Sequence, residues 1–506
     1  MVFFLALSPI LWLIVSLGFL KMQSFKACPI ALIISFAVAL GYYNMPVIDA
    51  GTAALEGVAL ACWPILLVII AAIFTYNLTL YTKAMDVVKH MLTTVSKDRR
   101  VLALLIAWGF GAFMEGMAGF GTAIAIPASM LVAMGFNPIK AILACLVANS
   151  VPTTFGSIGI PASTLANLTG VDPVQLATYI SLQLLPLNIV SPFLVVMIVG
   201  GGFKALKGVF LLTLFSALGL AVPELVIAAF VGPELTVMVS SIVIMGIIVA
   251  YSKARPVNNP EYEMDIEPAH VPAKGAVLAC MPFILIFVFL LLTSKLVPFI
   301  YTPLNTIRTA VTIYSGAGAA PYTFVWVATP GIMIFLAAFI SGKIQKASFS
   351  EMFHVLINTI KGLRNTIITI IAVIATAKVM GYSGMTLEIA NTAVAVTGTM
   401  YPAIAPLIGS VGTFITGSGT SSNVLFGNLQ TNAAEAINAN KTWLAASNSA
   451  GTCIGKMISP QSIAIAVGAI ALTGKDSEIL KSIIMVYVPY IIVLGCIVYF
   501  GQAFVG

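Results

Sequence analysis

A chain of 506 residues that is 60% hydrophobic and only 8% charged falls far short of the roughly one-quarter charged share of soluble domains, which excludes a soluble globular protein. Its net charge of +7 comes from bases that do not cluster as a groove-tracking patch would require, so no nucleic-acid groove is indicated. The six cysteines (Cys28, Cys62, Cys145, Cys280, Cys453, Cys496) lie in or beside apolar segments without a CxxC pair, and buried free thiols are expected, with no disulfide frame and no metal site.

In chain order, apolar stretches near the length of a bilayer crossing are predicted at 2–20, 27–43, 57–81, 175–200, 205–230, 233–251, 275–297, 322–341, 356–380 and 482–503. Gly-interrupted stretches occupy 101–170 and 402–472. The first stretch lacks a basic n-region and a small-residue cleavage site, so it reads as a retained span. No region is left for a soluble catalytic domain. The fold class is therefore an all-α polytopic membrane protein.

The chain also repeats itself. "GAFMEG" at 111–116 pairs with "GTFITG" at 412–417, 301 residues on. "NSVPTTFGSIGIP" at 149–161 pairs with "NSAGTCIGKMISP" at 448–460, and "LTGVD" at 168–172 with "LTGKD" at 472–476. Three matches in one order at a nearly constant offset indicate two copies of one unit.

Loop charge orients the copies. Lys83, Lys89, Lys97, Arg99 and Arg100 crowd 82–100, whereas the counterpart 383–401 has no base. Around the third pair the sign reverses, with Lys475 and Lys481 beside the second member. The positive-inside rule then makes the repeat inverted. With the N-terminus outside, 19 of the 24 Lys and Arg residues fall on the cytoplasmic side. Lys295, Arg308, Lys378, Lys441 and Lys456 are the exceptions.

The expected division is a first repeat over 1–203, a connecting transmembrane pair over 204–251, a cytoplasmic linker over 252–273 and an inverted second repeat over 274–506. Each repeat should hold a re-entrant helical hairpin, about 101–136 and 402–438, and a broken helix, about 139–169 and 441–472. Breaks at membrane depth are tolerated only against protein or a water-filled cavity. Close helix packing through small residues is the alternative for the glycines, but it leaves the neighbouring Asn, Ser and Thr unexplained.

Those residues supply the candidate site. Gly119, Gly121, Thr122, Asn149, Ser150, Thr153, Thr416, Ser418, Ser421, Ser422, Asn423, Asn448, Ser449 and Thr452 offer backbone freedom and neutral donors and acceptors. Helix N-termini at the breaks would attract an anion. The set suits a small carboxylate bearing a hydroxyl.

Two charges stand at that depth. Glu115 sits at the first hairpin tip and Lys456 in the second break, where a charge costs at least about 2.5–3.5 kcal/mol and usually faces a partner or a pathway. Glu115 reads either as a proton-coupling carboxyl or as half of a fixed ion pair. Lys456 reads as a seat for the substrate carboxylate, as the other half of that pair, or as a snorkelling side chain. Asp172 and Asp476 read as helix N-caps, and Lys378 and Glu224 as residues near span ends. His90, His270 and His354 form no cluster. No nucleophile with its base and no paired His ligands occur, so neither catalysis nor a cofactor is indicated.

The blocks "GFGAFMEGMAGFGTAIAIPAS" (109–129), "GFNP" (135–138), "ANSVPTTFGSIGIP" (148–161) and "GTFITGSGTSSN" (412–423) resemble the L-lactate permease family, and the resemblance extends over most of the chain. It implies a symporter of the bacterial cytoplasmic membrane carrying a proton with L-lactate, and often D-lactate or glycolate. It also implies likeness to the wider ion-transporter superfamily, whose hairpins and broken helices hold substrate in an elevator-type domain. A sodium-coupled carrier of a similar anion is the alternative, ahead of a membrane-embedded enzyme or a channel. The partners are then a 2-hydroxy monocarboxylate, a proton and the lipid bilayer. A homo-oligomer is left open.

Overall fold

The architecture is that of a computed structural model describing residues 2–20, 22–93, 95–117, 119, 121–257, 259–264, 272–294, 297–470, 472 and 475–505. Lys21, His270, Lys295 and part of the second "LTGKD" lie outside the described residues. Among those described, ten helices are long and apolar enough to cross a bilayer. With one small hairpin of strands apart, the fold is all helical.

The element order runs twice. The first hairpin consists of Arg99–Met117 and Thr122–Ala133, and the second of Tyr401–Thr416 and Gly419–Ala436. The first broken helix consists of Pro138–Ser150 and Gly156–Thr169, joined by the turn Pro152–Phe155 and bent by 59°. The second consists of Lys441–Ile458 and Pro460–Ala469, parted at Ser459. Pro at the second residue of a break removes a helix donor and starts the next segment. The long helices Pro173–Gly200 and Asp476–Gly501 close the two copies.

Packing is crossed between the copies, as an inverted two-fold relation requires. Thr122–Ala133 lies on Pro460–Ala469, and its counterpart Gly419–Ala436 lies on Gly156–Thr169. Outside this bundle, Leu67–Tyr81 packs on Pro330–Ile344, and its counterpart Arg364–Ser383 packs on Ser24–Gly41. These last elements form a wall facing the hairpins. Phe210–Phe230 and Thr236–Ala254 connect the copies.

Several local expectations are corrected. The stretch 322–341 begins as a strand, Tyr322–Val325, paired antiparallel with Arg308–Val311, and its helix, Pro330–Ile344, starts only at Pro330. The alternation of aromatic and β-branched residues in "YTFV" explains the strand. Glu224, six residues before the end of Phe210–Phe230, is fully buried and bonded by Asn188 Nδ2 at 3.0 Å, and Lys378, five residues before the end of Arg364–Ser383, pairs with Glu56 at 2.7 Å. Asp172 caps its helix by accepting from Gln175 N at 2.8 Å, whereas Asp476 lies in the first turn after Lys475. Cys62 and Cys496 are exposed on helix surfaces, and all six thiols are free. Part of the expected linker is packed: Tyr262 stacks on the Arg100 guanidinium, 4.0 Å from its ring centre, and Arg100 is clamped by Asp98 at 2.7 Å.

Candidate functional site

Where the two hairpin tips and the two breaks meet the wall, the fold leaves a cavity of about 540 Å³. That lies within the roughly 300–1,000 Å³ usual for small-molecule sites. Its walls are built from helix beginnings. Gly121 and Thr122 open the second arm of the first hairpin, and Ser418 to Ser421 open that of the second. Gly156 to Pro161 open the second half of the first broken helix, and Gln461 and Ser462 that of the second. Four positive dipole ends therefore converge on one space, the arrangement that favours an anion.

Opposite them, Ile73, Tyr76 and Asn77 of Leu67–Tyr81 and Asn365, Thr366 and Thr369 of Arg364–Ser383 complete the lining. The cavity extends to Gln23–Phe25 and Leu363, at the ends of the wall helices.

At its floor stands a charge pair. Lys456 Nζ donates to Glu115 Oε1 at 2.8 Å, and Asn149 Nδ2 donates to Glu115 Oε2 at 2.8 Å. Glu115 is 2% exposed and Lys456 7%, and both line the cavity. A charge-assisted bond on each carboxylate oxygen holds Glu115 in one orientation. Room for it comes from Gly156, where an added Cβ would sit 2.6 Å from Glu115 Oε1. The preceding tip is equally tight: at Gly119, whose φ is +57°, a Cβ would meet Ser157 Oγ at 2.5 Å.

The repeat gives the pair its meaning. Thr416 corresponds to Glu115 between the tips, and Ser157 corresponds to Lys456 between the breaks. All four line the same cavity. The first tip and the second break thus carry the charges, and the corresponding positions of the second tip and the first break carry only hydroxyls.

The candidate residues divide. Glu115, Gly121, Thr122, Thr153, Thr416, Ser418, Ser421 and Lys456 line the cavity. Gly119, Asn149, Ser150, Ser422, Asn423, Asn448, Ser449 and Thr452 lie behind it as buried support. Asn423 Nδ2 reaches Ser449 Oγ at 2.9 Å and Pro161 O at 3.0 Å, and Asn448 Nδ2 reaches Asn423 Oδ1 at 3.0 Å. Thr154 bonds Ser449 across the two breaks. Gln430 continues the chain from Asn448 Oδ1, at 3.2 Å, to Ala405 O. Such a network fixes the breaks relative to each other. Ser150 and Thr452 each donate to a backbone carbonyl of their own helix, Thr153 in the turn donates to Asn149 O of the helix before it, and Ser422 donates to Gly409 O.

Sequence reasoning missed Ser157, Gln461, Ser462 and the wall residues Asn77, Asn365, Thr366 and Thr369. Ser157 could have been found as the repeat mate of Lys456. The wall residues signalled only as isolated polar groups in apolar helices. Lys456 itself belongs to the last turn of Lys441–Ile458, three residues before the break at Ser459.

Comparison with known proteins places these residues in context. Residues 2–505 match a family model described as L-lactate permease. An L-lactate permease of Streptococcus iniae is 46% identical over 89% of this chain and 94% of its own length. The glycolate permease GlcA of Escherichia coli is 32% identical over 97% of this chain and 94% of its own length. Among solved structures, the YdaH transporter of Alcanivorax borkumensis is similar at 11% identity and a TM-score of 0.45, covering 90% of this chain and 87% of that one.

Proposed function

The chain belongs to the L-lactate permease family, a multi-pass membrane protein by its ten apolar helices, and from that premise we propose that it imports L-lactate, with D-lactate and glycolate as further substrates, by proton symport. The reading puts it in the bacterial cytoplasmic membrane with its N-terminus outside. The cavity then opens to the cytoplasm, because its rim lies beside Lys26 and Arg364, on the basic face.

The observation that carries the proposal is the Glu115–Lys456 pair inside a cavity ringed by helix N-termini. In the empty carrier the carboxylate and the ammonium neutralise each other. A substrate carboxylate entering the cavity competes with Glu115 for Lys456. A proton on Glu115 releases the ammonium to the substrate, while Asn149 retains the neutral carboxyl. Thr416, Ser418, Ser421 and Ser157 receive the hydroxyl.

Charge counting turns this competition into coupling. The empty site sums to zero, and so does the site holding both proton and monocarboxylate. Substrate alone leaves −1, and a proton alone leaves +1. An uncompensated charge at membrane depth costs at least about 2.5–3.5 kcal/mol, which disfavours the half-loaded states by roughly 70- to 400-fold. Only the neutral states cross, so proton and anion travel together. Movement of the two hairpins and two broken helices as one domain against the wall is the elevator step of this reading, and the repeats at 1–203 and 274–506 are its units.

Uptake of labelled L-lactate by proteoliposomes in sodium-free buffer tests the proposal. An inward proton gradient should drive accumulation. Accumulation only with sodium would assign the coupling to that ion instead.

A further inference from the structure

Three helices that line the central cavity also line a second one. Leu168 of Gly156–Thr169, Asn428 and Asn432 of Gly419–Ala436, and Lys378, Gly381 and Tyr382 of Arg364–Ser383 line an outward-facing recess of about 220 Å³. On each helix the nearest residue of the central cavity is Pro161, Ser421 or Ile370. The step to the second cavity is seven or eight residues on every one of them, or about 11 Å at the helical rise. The two cavities are therefore in line, one beyond the other. The helix stretches between them bury the apolar Leu165, Val373, Ile374, Val424, Leu425 and Phe426, with Thr164, Thr376, Ser422 and Asn423 as buried polar residues among them.

The second cavity has its own shared ammonium. Lys378 Nζ bonds Glu56 Oε1 at 2.7 Å, and Tyr382 OH lies 2.9 and 3.1 Å from the two Glu56 oxygens. Lys378 lines the space and is 15% exposed, whereas Glu56 is 5% exposed and does not line it. Because Tyr382 also binds Glu56, the lysine can turn to an anion without leaving that carboxylate unbonded. Tyr314, on the loop between the two strands, stacks on Tyr382 with ring centres 3.7 Å apart and shields the cluster.

The repeat argues against a purely structural charge. Asn77 is the counterpart of Lys378, and it bonds Thr359 at 2.9 Å on Phe349–Gly362, the counterpart of the helix that carries Glu56. A neutral amide and a hydroxyl suffice to hold the same helix pair in the other copy. The charge has been added on one side alone, at the end of the pathway away from the open cavity.

We propose that the cavity at Lys378 is a second anion site, which receives a small monocarboxylate at the mouth opposite the open cavity and passes it to Lys456 when the hairpins and broken helices move against the wall. This rests on the transport reading above. On that reading the mouth is the extracellular one.

The test is labelled L-lactate flux in vesicles of both orientations. Lys378→Gln should raise KM for entry at this mouth roughly tenfold, the worth of one charged hydrogen bond. Detailed balance then requires exit to lose the same factor in Vmax/KM, which should appear in its maximal rate, with the KM of exit and the maximal rate of entry unchanged; Lys378→Arg should recover most of the loss. Because Lys378→Gln strands Glu56 beside Tyr382 alone, Asn432→Leu fills the cavity without touching the ion pair and should give the same one-sided KM effect. An equal rise in KM at both faces, a fall in the maximal rate of entry with its KM unmoved, or no effect from either variant would overturn the proposal. No lactate flux in the unaltered protein would instead refute the transport reading, and this site with it.

Discussion

Replacing Glu115 by glutamine separates two movements that the wild-type site performs at equal charge. In Glu115→Gln the empty site carries +1 from Lys456, whereas the lactate-loaded site sums to zero. Lys456 is 7% exposed, so its lone ammonium meets the full penalty of a charge at membrane depth, at least about 2.5–3.5 kcal/mol. The return of the empty carrier should slow by roughly 70- to 400-fold, while exchange of loaded carriers should stay within a few fold. Binding should move the other way. Removing one partner of a buried pair costs about 3–5 kcal/mol, and a bound carboxylate restores the missing charge. Lactate should therefore stabilise Glu115→Gln more than it stabilises the wild type, and with less dependence on pH. The assay is net uptake against counterflow in the same proteoliposomes, together with thermal unfolding in detergent with and without lactate. Net uptake as fast as counterflow in Glu115→Gln would refute the charge-balance argument.

Other perturbations probe the same geometry. Gly156→Ala is conformationally allowed at φ −63°, but its Cβ would fall 2.6 Å from Glu115 Oε1; it should impair gradient-driven uptake in a protein that still folds, and wild-type uptake would contradict the packing. Glu224→Gln removes a buried carboxyl that lies off the cavity, so uptake should still follow the pH gradient within about twofold, and loss of that response would move the coupling to Glu224. Outside the membrane helices, the Tyr81 hydroxyl and then Ser348 hold Glu351 down to about 2 from its ordinary 4.5. A depressed carboxylate stabilises the fold above its unfolded value. The advantage of wild type over Glu351→Gln in thermal unfolding should thus be constant above pH 4.5, shrink below it and vanish near pH 2.

The fold was readable where the chain repeats itself. Paired "GAFMEG" and "GTFITG" mark the two hairpin tips, and the paired "NS" blocks run into the two breaks, because small residues and proline at fixed spacing leave a helix few other options. Glu115 and Lys456 stood out as charges where charge is expensive. What the sequence concealed is mostly three-dimensional. Asn149 and Asn448 look equivalent along the chain, yet one bonds Glu115 and the other a buried amide network. The polar residues of the wall, from Asn77 to Thr369, belong to helices whose hydropathy announces only a span. The strand pair over 308–325 was hidden because its aromatic residues also satisfy a hydropathy window. The partnership of Lys378 with Glu56 joins residues 322 positions apart, which no local pattern reports.

The central claim is that only neutral forms of the site cross the membrane. Its most direct test is initial L-lactate uptake in sodium-free proteoliposomes with the pH gradient and the membrane potential set independently. A cycle that alternates an empty Glu115–Lys456 pair with one proton and one monocarboxylate moves no net charge. Uptake should rise with the inward proton gradient and stay constant as the potential is varied at fixed pH. Uptake driven by a negative interior potential with no pH gradient would contradict it.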